Sequence, residues 1–316
     1  MPESGIIKNF DSVYLYIIRY KVKYPLNNSG VGDTDIMRIA AINDLSGFGK
    51  CSLMADIGVL SAMGIEVCPV PTAVLSAQTG FPDFHLLDTS TLIDRCKEDW
   101  LKMGARFDSI ITGYIPHEKD ADDIISFVKA FKKDGTSLLV DPVMGDGGRF
   151  YSNYSDEMLR KIKLLAATAE IITPNLTELC ILAGFEAGKA KELEAIEDQD
   201  QMIRKIVAIA EKVRTSKAQN IVVTGIHKGD HELCNLVVSA DGNEVVECKT
   251  NGKSYSGTGD LFAATLLGYI LKGKNTIDAV KLTTEFISSA IEATGDKDRN
   301  YGVDFEKVLG KLNGED

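Results

Sequence analysis

Hydrophobic positions follow two alternating patterns from residue 37 onward. Compact apolar runs rich in Ile, Val and Leu predict buried strands at 38–42, 66–70, 109–112, 137–140, 169–172 and 220–224. Apolar positions at helical spacing between and after these runs predict helices at 52–63, 90–103, 119–133, 155–167, 176–183, 200–214, 260–271 and 276–293. Strands that are apolar on both faces and alternate with helices are typical of parallel sheets. The pattern therefore predicts an α/β fold with a doubly wound, mostly parallel sheet flanked by helices.

One stretch near the C-terminal part interrupts this rhythm. Two strand-like runs, 233–239 and 244–249, flank the segment Ala240-Asp241-Gly242-Asn243. Its Asp-Gly pair is a strong signal for a hairpin turn, because both residues tolerate the positive φ that tight hairpins need. The sequence therefore predicts a small antiparallel β element here.

The first 36 residues differ from the rest of the chain. They end in a polar segment rich in Gly and Asn, 27–35, which is typical of a linker, and the regular pattern starts only at Met37. We therefore predict an N-terminal extension without a catalytic role at 1–36 and a single domain at 37–316.

Composition and charge exclude several classes of partner. The chain has 316 residues, of which 44% are hydrophobic, and a net charge of −11, so nucleic acid and anionic membranes are not expected partners. No apolar run approaches the roughly 20 residues that span a bilayer, and no secretory signal is recognisable. The six cysteines are scattered without a zinc-binding spacing, which favours buried thiols in a reducing compartment. We expect a cytoplasmic protein.

The segment Gly257-Thr258-Gly259-Asp260 carries the clearest candidate chemistry. It directly precedes an apolar helical run. Glycines let a phosphate approach the backbone closely, and the amides at a helix N-terminus supply unpaired donors with a favourable dipole. Asp260 at this place could accept the proton of an attacking hydroxyl. It could equally be only a helix N-cap.

Polar residues also follow the strands that end near 140, 172 and 224. Asn175 and Glu178 share one face of a helix start, where they could hold a hydrated Mg²⁺ or form a capping interaction. Asp141 ends an apolar strand, where α/β proteins place ligand-binding groups, and Asp146 follows closely. Thr224 ends another strand, where its hydroxyl could bond the backbone.

Four segments, in chain order, resemble those of ribokinase-like vitamin kinases, and the pyridoxal kinase family in particular. The likeness runs from about Met37 to the C-terminus. The segments are Ile111-Thr112-Gly113-Tyr114, Asp141-Pro142-Val143-Met144-Gly145-Asp146, Thr173-Pro174-Asn175-Leu176-Thr177-Glu178 and Gly257-Thr258-Gly259-Asp260. The resemblance implies a ribokinase-like fold and ATP-dependent phosphorylation of pyridoxal, pyridoxine or pyridoxamine.

The resemblance also implies roles for individual residues. Asp260 would be the catalytic base, and the amides of Gly257, Thr258 and Gly259 would stabilise the transferred phosphoryl group. ATP and its cations would be held by Asp141, Asp146, Tyr151, Thr173, Asn175, Glu178 and Thr224. Mg²⁺ would lie near Asp141, Asn175 and Glu178, and K⁺ is implied as a monovalent cation. The glycine-rich residues 145–151 are expected to form a flap over ATP, and the family analogy implies a homodimer.

Substrate contacts are implied for Asp44, Ser76, Thr79 and Tyr114, with Asp260 at the reacting hydroxyl. Tyr114 would cover the flat vitamin ring. Asp44 departs from the pattern, because many pyridoxal kinases carry serine there and hydroxymethylpyrimidine kinases carry aspartate. A hydroxymethylpyrimidine kinase, a dual-specificity enzyme and a catalytically silent binding protein on the same fold therefore stay open as alternatives.

Overall fold

The computed structural model describes residues 36–151, 154–228, 232–248 and 251–314. The predicted extension, apart from Ile36, lies outside the described residues, as does Lys249 of the predicted hairpin. Within the described ranges, no helix combines the length and the apolar character needed to cross a bilayer.

A twisted sheet runs through the described part of the chain. In chain order the strands are β1 (Arg38–Ser46), β2 (Glu66–Leu75), β3 (Leu86–Asp88), β4 (Ser109–Thr112), β5 (Ser137–Val140), β6 (Gly145–Asp146), β7 (Arg149–Phe150), β8 (Ile171–Ile172), β9 (Asn220–His227), β10 (Leu233–Ser239) and β11 (Gly242–Cys248). Nine of these described strands form one sheet in the order β11-β10-β9-β8-β5-β4-β1-β2-β3. β6 and β7 form a separate two-stranded hairpin.

Helices cover both faces of this sheet. They are α1 (Leu53–Ala62), α2 (Leu92–Lys102), α3 (Glu118–Phe131), α4 (Asp156–Ala167), α5 (Leu176–Leu182), α6 (Lys189–Glu194), α7 (Gln199–Val213), α8 (Thr258–Leu271) and α9 (Thr276–Thr294). Two 3₁₀ segments, Arg299–Tyr301 and Phe305–Asn313, follow α9. One core joins the sheet to α2–α7, and a second core on the other face joins it to α1, α8, α9 and the last 3₁₀ segment.

Strand β1 explains why the sheet has two cores. Its side chains alternate between faces, as in any strand, yet residues 39–42 are fully buried on both sides. Ala40 and Ile42 pack in one core, and Ile39 and Ala41 pack in the other. A strand that is apolar on both faces can be satisfied only between two layers of helices. The predicted α/β fold is confirmed.

The strand order places a topological switch point beside β1. β1 pairs in parallel with β2 on one side and with β4 on the other. The chain moves outward through β2 to β3, returns to β4, and then continues through β5, β8 and β9 in the opposite direction. Ligands of open α/β sheets bind in the crevice that such a reversal opens at the carboxyl ends of the strands. The ends of β1 and β4 therefore mark the expected binding site.

Several predicted boundaries were wrong for identifiable reasons. β1 and β2 extend beyond their apolar runs because they remain hydrogen-bonded to each other there. The pairing of the two strands is irregular between Asn43 and Leu45. β8 is shorter than predicted. The hairpin turn contains only Ala240 and Asp241, since Gly242 of β11 already pairs with Ser239 of β10. The predicted antiparallel element is confirmed, and it extends the edge of the main sheet beside β9.

Candidate active site

The candidate active site lies at the carboxyl ends of the parallel strands. Asn43 lies near the end of β1, and Tyr114, Asp141 and Thr173 follow β4, β5 and β8. The N-terminus of α8 faces the same group, since Asn43 contacts Asp260 and a Cβ at position 259 would lie 3.8 Å from Asp141 Oδ2. Residues far apart in sequence thus meet at the switch point.

Gly257 allows α8 to begin at this place. It is the N-cap and has a φ of 78°, a left-handed conformation that favours glycine. A Cβ at position 257 would lie 2.3 Å from the Lys50 carbonyl oxygen, so any side chain would collide with the backbone. Thr258, Gly259 and Asp260 form the first helical turn, whose amides have no acceptor within the helix. The structure therefore has a helix N-terminus at the position that the sequence indicated.

Asp260 is not the N-cap of α8, because that position belongs to Gly257. Its carboxylate accepts hydrogen bonds from the backbone N–H of Ser52 and from Asn43 Nδ2, the latter at 3.4 Å. The side chain is half-buried. Burial, assisted by the nearby charge of Asp44, raises the pKa of Asp260 to about 6, although both hydrogen bonds act in the opposite direction. A carboxylate in this range suits proton transfer near neutral pH.

Two further acids extend this group, since Asp141 lies close to Asp260 and Glu178 lies close to Asp141. Asp141 Oδ1 accepts a hydrogen bond from the Thr173 hydroxyl at 3.1 Å. Burial and the charge of Asp260 raise the pKa of Asp141 to about 7. Burial and the charge of Asp141 also raise the pKa of Glu178 well above its usual value. Acids that hinder one another's ionisation in this way lack a compensating positive charge.

Asn175 and Glu178 form the capping box that the sequence left open. Asn175 Oδ1 accepts from the Glu178 N–H at 3.0 Å, and Glu178 Oε2 accepts from the Asn175 N–H at 2.9 Å. Glu178 Oε1 also accepts from the Met144 N–H at 3.0 Å. Both carboxylate oxygens of Glu178 thus accept from backbone donors. A cation role for the pair stays a prediction beside its structural role.

The donor set fits a hydrated Mg²⁺ better than a site made by protein alone. Mg²⁺ prefers oxygen ligands and is usually bound by one or two carboxylates together with water and substrate phosphates. Asp141, which is half-buried, and Glu178, which is buried, supply carboxylates that no described lysine or arginine neutralises. Across the described ranges, no three His, Cys, Asp or Glu side chains cluster closely enough to hold a metal ion. The remaining ligands would have to come from a nucleotide and water.

The glycine-rich residues 145–151 form the β6–β7 hairpin. Its turn residues Gly147 and Gly148 both have positive φ, and the Gly148 N–H donates to Thr177 Oγ1 at 2.9 Å. At the base of the hairpin, Asn175 Nδ2 donates to the Gly145 carbonyl at 2.8 Å. Two hydrogen bonds thus attach the predicted flap to α5 and its cap.

The other predicted nucleotide residues surround this hairpin. Asp146 is exposed and accepts from the Gly147 N–H, and Tyr151 is 40% exposed. Thr224 is half-buried and pairs with Asn175 in an isolated β-bridge. The structure therefore brings Thr224 and Asn175 together, whereas Asp146 points its carboxylate into its own turn.

Asp44 has a different setting from the one that the sequence suggested. The residue is only 6% exposed, and its two oxygens accept from Ser46 Oγ at 3.0 Å and Ser52 Oγ at 2.5 Å. Burial raises the pKa of Asp44, while the two hydroxyl groups lower it. This geometry connects the end of β1 to the start of α1, so a direct substrate contact by Asp44 stays a prediction.

The predicted substrate residues of the next loop are accessible. Ser76 and Thr79 are exposed, and Ser76 Oγ accepts from the His85 N–H at 2.8 Å. The loop is attached to the C-terminal part of the chain through Gln78, whose Nε2 donates to the Asn300 carbonyl at 3.0 Å. Tyr114 is half-buried, and its N–H donates to Asn43 Oδ1 at 2.9 Å.

Sequence reasoning missed three residues that organise the site. Asn43 lies just beyond the predicted strand 38–42, and Asp56 lies within the predicted helix 52–63. Ser52 is the one non-glycine residue with positive φ in the described ranges, and its N–H reaches Asp260. An acid within the otherwise apolar buried face of α1 was a signal for Asp56. No local pattern could have indicated the backbone conformation of Ser52.

Comparisons with known proteins show which family the chain resembles. A sequence model of the family described as phosphomethylpyrimidine kinase matches residues 48–303. The chain is 26% identical over 274 residues to the pyridoxal kinase PdxY of Aliivibrio fischeri, which covers 81% of this chain and 89% of that protein.

Solved structures of other kinases are similar to this chain in fold. A candidate phosphomethylpyrimidine kinase from Bacteroides thetaiotaomicron, crystallised in a form with pyridoxal, superposes with a TM-score of 0.78 at 33% identity over 89% of this chain and 97% of that one. Pyridoxal kinase from Leishmania donovani in complex with ADP and pyridoxine superposes with a TM-score of 0.69 at 21% identity, covering 88% of this chain and 95% of the other. This second likeness concerns the fold alone.

Proposed function

The chain belongs to the phosphomethylpyrimidine kinase family, and from this premise we propose that it transfers the γ-phosphoryl group of ATP to the hydroxymethyl oxygen of pyridoxal, pyridoxine or pyridoxamine. The chain is a phosphotransferase with an alcohol group as acceptor. The product would be the 5′-phosphate of the vitamin, and the reaction would be a salvage step. The relatives named for pyridoxal and the neighbour crystallised with pyridoxal support this choice of alcohol.

The observation that carries the proposal is the position of Asp260. Its carboxylate lies in the first turn of α8, beside amides that have no acceptor within the helix. Proton removal and phosphoryl transfer can therefore occur at one place. Asp260 would accept the hydroxyl proton, while the amides of Gly257, Thr258 and Gly259 would donate to the transferred phosphoryl oxygens.

The surrounding acids account for the expected cations. Mg²⁺, when bound with ATP, would neutralise phosphate charge, and Asp141, Asn175 and Glu178 are the residues that would hold it. Thr173 would keep the Asp141 carboxylate oriented through its hydroxyl. Thr224 and Tyr151 would border the nucleotide from the end of β9 and from the β6–β7 hairpin. K⁺ near Asp146 is a further part of the proposal.

A second candidate substrate is hydroxymethylpyrimidine. Asp44 favours it, because hydroxymethylpyrimidine kinases carry aspartate at that position. The family whose model matches this chain is also named for the pyrimidine. The buried setting of Asp44 speaks for a structural role instead, since both oxygens already accept hydroxyl hydrogen bonds. The pyridoxal reading therefore has the stronger support.

A side-by-side kinetic assay tests the proposal. Purified protein is incubated with Mg²⁺-ATP and each of pyridoxal, pyridoxine, pyridoxamine and hydroxymethylpyrimidine, and ADP release and phosphorylated product are measured. We expect the highest kcat/KM with a B6 vitamer. Higher kcat/KM with the pyrimidine would support the second candidate, and no turnover with any of them would support a silent binding protein.

A further inference from the structure

Asp56 is a buried acid whose setting the proposed reaction does not explain. It lies in the first turn of α1 and is 1% exposed, among the apolar buried residues of that helix. Its Oδ2 lies 3.4 Å from Asn43 Nδ2, and its Oδ1 has no hydrogen-bond partner among the described residues. Burying an acid with so little compensation is costly, so a stability role alone does not account for its presence.

Asn43 connects this acid to the candidate base. Its Nδ2 carries two hydrogens, and it lies 3.4 Å both from Asp56 Oδ2 and from Asp260 Oδ1. Its Oδ1 accepts from the N–H groups of Tyr114 at 2.9 Å and Asp44 at 3.1 Å. Because two backbone donors hold the carbonyl end of the amide, the nitrogen end must face the two carboxyl groups.

Close packing leaves the Asn43 side chain little freedom. A Cβ at position 113 would lie 2.5 Å from Asn43 Nδ2, so only glycine can follow β4 there while Asn43 keeps its place. The contacts of Asn43 with both acids are at the long end of the hydrogen-bond range. A small displacement of the amide would therefore break its contact with Asp260.

We propose that Asp56 is a positioning residue, which orients the Asp260 carboxylate by holding Asn43 between the two acids. The proposal rests on the proposed function, because it takes Asp260 as the base. Burial, together with the charge of Asp260, raises the pKa of Asp56 well above its usual value. A neutral Asp56 can accept from Asn43 without adding a second negative charge beside the base.

The test separates a positioning role from a purely structural one by comparing kcat, KM and Tm. Asp56→Ala removes the acceptor and should lower kcat about 10-fold or more, with KM for ATP and the vitamer changed less than about 2-fold, because a misplaced catalytic group costs rate rather than binding. Its Tm should not fall, since the lost group is a buried acid with an unpartnered oxygen. Asp56→Asn keeps shape and acceptor and should recover most of the rate. Unchanged kcat in Asp56→Ala, or equal losses in the two variants, would overturn the proposal.

Asp120→Ala is the matched control. Asp120 is also a fully buried acid in the first turn of a helix, and no side chain of the described residues donates a hydrogen bond to its carboxyl oxygens. The groups that act on its ionisation are His117, Asp88 and Asp123, none of which belongs to the site. Its substitution should leave kcat unchanged.

A double-mutant cycle identifies the route through Asn43. If Asp56 acts through Asn43, Asp56→Ala should change kcat less than about 2-fold in an Asn43→Ala background. A loss as large as in the wild-type background would overturn the proposal. Gly113→Ala gives a second approach should Asp56→Ala fail to fold, because the added methyl group displaces Asn43 and should lower kcat. A kcat of Gly113→Ala equal to that of the wild type would contradict the proposal.

Crystal structures of the wild type and Asp56→Ala test whether Asp56 positions Asn43 without relying on turnover. We expect Asn43 Nδ2 to leave Asp260 in the variant, and an unchanged contact would overturn the proposal. A wild-type protein that phosphorylates none of the alcohols would contradict the proposed function, while the two structures would still decide whether Asp56 places Asn43.

Discussion

At the scale of single residues, the proposed chemistry depends on how one carboxylate is surrounded. Asp260 combines two hydrogen bonds that favour its ionised form with a buried, acid-rich setting that opposes ionisation. The balance leaves its pKa at about 6, which is above the ordinary range of aspartate. The same residue can therefore be ionised at neutral pH and still be basic enough to accept a proton.

Removing this carboxylate should reduce turnover far more than substrate affinity. We expect Asp260→Ala and Asp260→Asn to lower kcat by roughly 10² or more, with KM little changed, because a base acts mainly in the transition state. Steady-state kinetics with the preferred vitamer check this. Near-wild-type turnover in either variant would remove Asp260 from the mechanism.

The pH profile of the wild type follows from the same carboxylate. Only the ionised form accepts a proton, so kcat/KM should increase as the pH rises through about 6 and then level off. Initial rates measured from pH 5 to 8 at saturating Mg²⁺ check this expectation. A flat profile between pH 5 and 7 would contradict it.

Site residues could be predicted from the sequence where a local motif marks them. They could not be predicted where their role depends on contacts between distant parts of the chain. Gly257 and Asp260 could be found because glycine and acid directly precede a helical run. Asn43 could not, since its role arises from Tyr114 and Asp260, which come from distant parts of the chain. The hydrogen bonds from Ser46 and Ser52 to Asp44 could not be predicted either, since they depend on how the end of β1 meets the start of α1, and the substrate contact of Asp44 stays a prediction.

At the scale of elements, the two ends of α8 permit a matched comparison. Gly257 at its start and Gly273 just after its end both have positive φ, at 78° and 85°. A Cβ at 257 would collide with the backbone of Lys50 and Cys51, whereas one at 273 would meet nothing within 4 Å. The backbone strain of an added methyl group is therefore similar, but the collision is present at only one end.

We expect Gly257→Ala to lower both Tm and kcat clearly more than Gly273→Ala. The strained φ alone costs roughly 1 kcal/mol in each variant, while the collision at 257 must also displace the first turn of α8. Thermal unfolding and steady-state kinetics of both variants check this. Equal effects in the two would show that the Lys50 contact does not constrain the helix start.

Periodicity predicted the long elements well and the short ones poorly. Apolar runs located the central strands β4 and β5, because strands buried on both faces must be apolar throughout. It missed β3 and α6, which have three and six residues and are too short to show a periodic pattern. β6 and β7 were missed because each has two residues and depends on the glycine turn between them.

At the scale of the whole molecule, the acids of the site should make stability depend on pH and cations. Asp141 has a pKa of about 7 in the folded protein, well above its ordinary value, so the native state binds more protons than the unfolded state between these values. Stability contributed by this group is therefore lost as the pH rises through about 7. We therefore expect the candidate active site to lower the stability of the folded protein above about pH 7 when no cation is bound.

Asp141→Asn should relieve this effect. The amide keeps an acceptor for Thr173 but never ionises, so the Tm of the variant should exceed that of the wild type by more at pH 8 than at pH 5. Thermal melts of both proteins without nucleotide check this, and Mg²⁺-ATP should raise the wild-type Tm at pH 8. A difference that does not change with pH would contradict the expectation.

The burial of α8 has a consequence for the durability of the site. Residues 261–269 of this helix are all buried, and its first turn carries the carboxylate at the switch point. Backbone amides in such a segment become accessible to deuterium only when the protein opens as a whole. We therefore expect the candidate base to be attached to a part of the chain that opens late, so that its alignment survives local fluctuations of the surrounding loops and is lost only together with the fold.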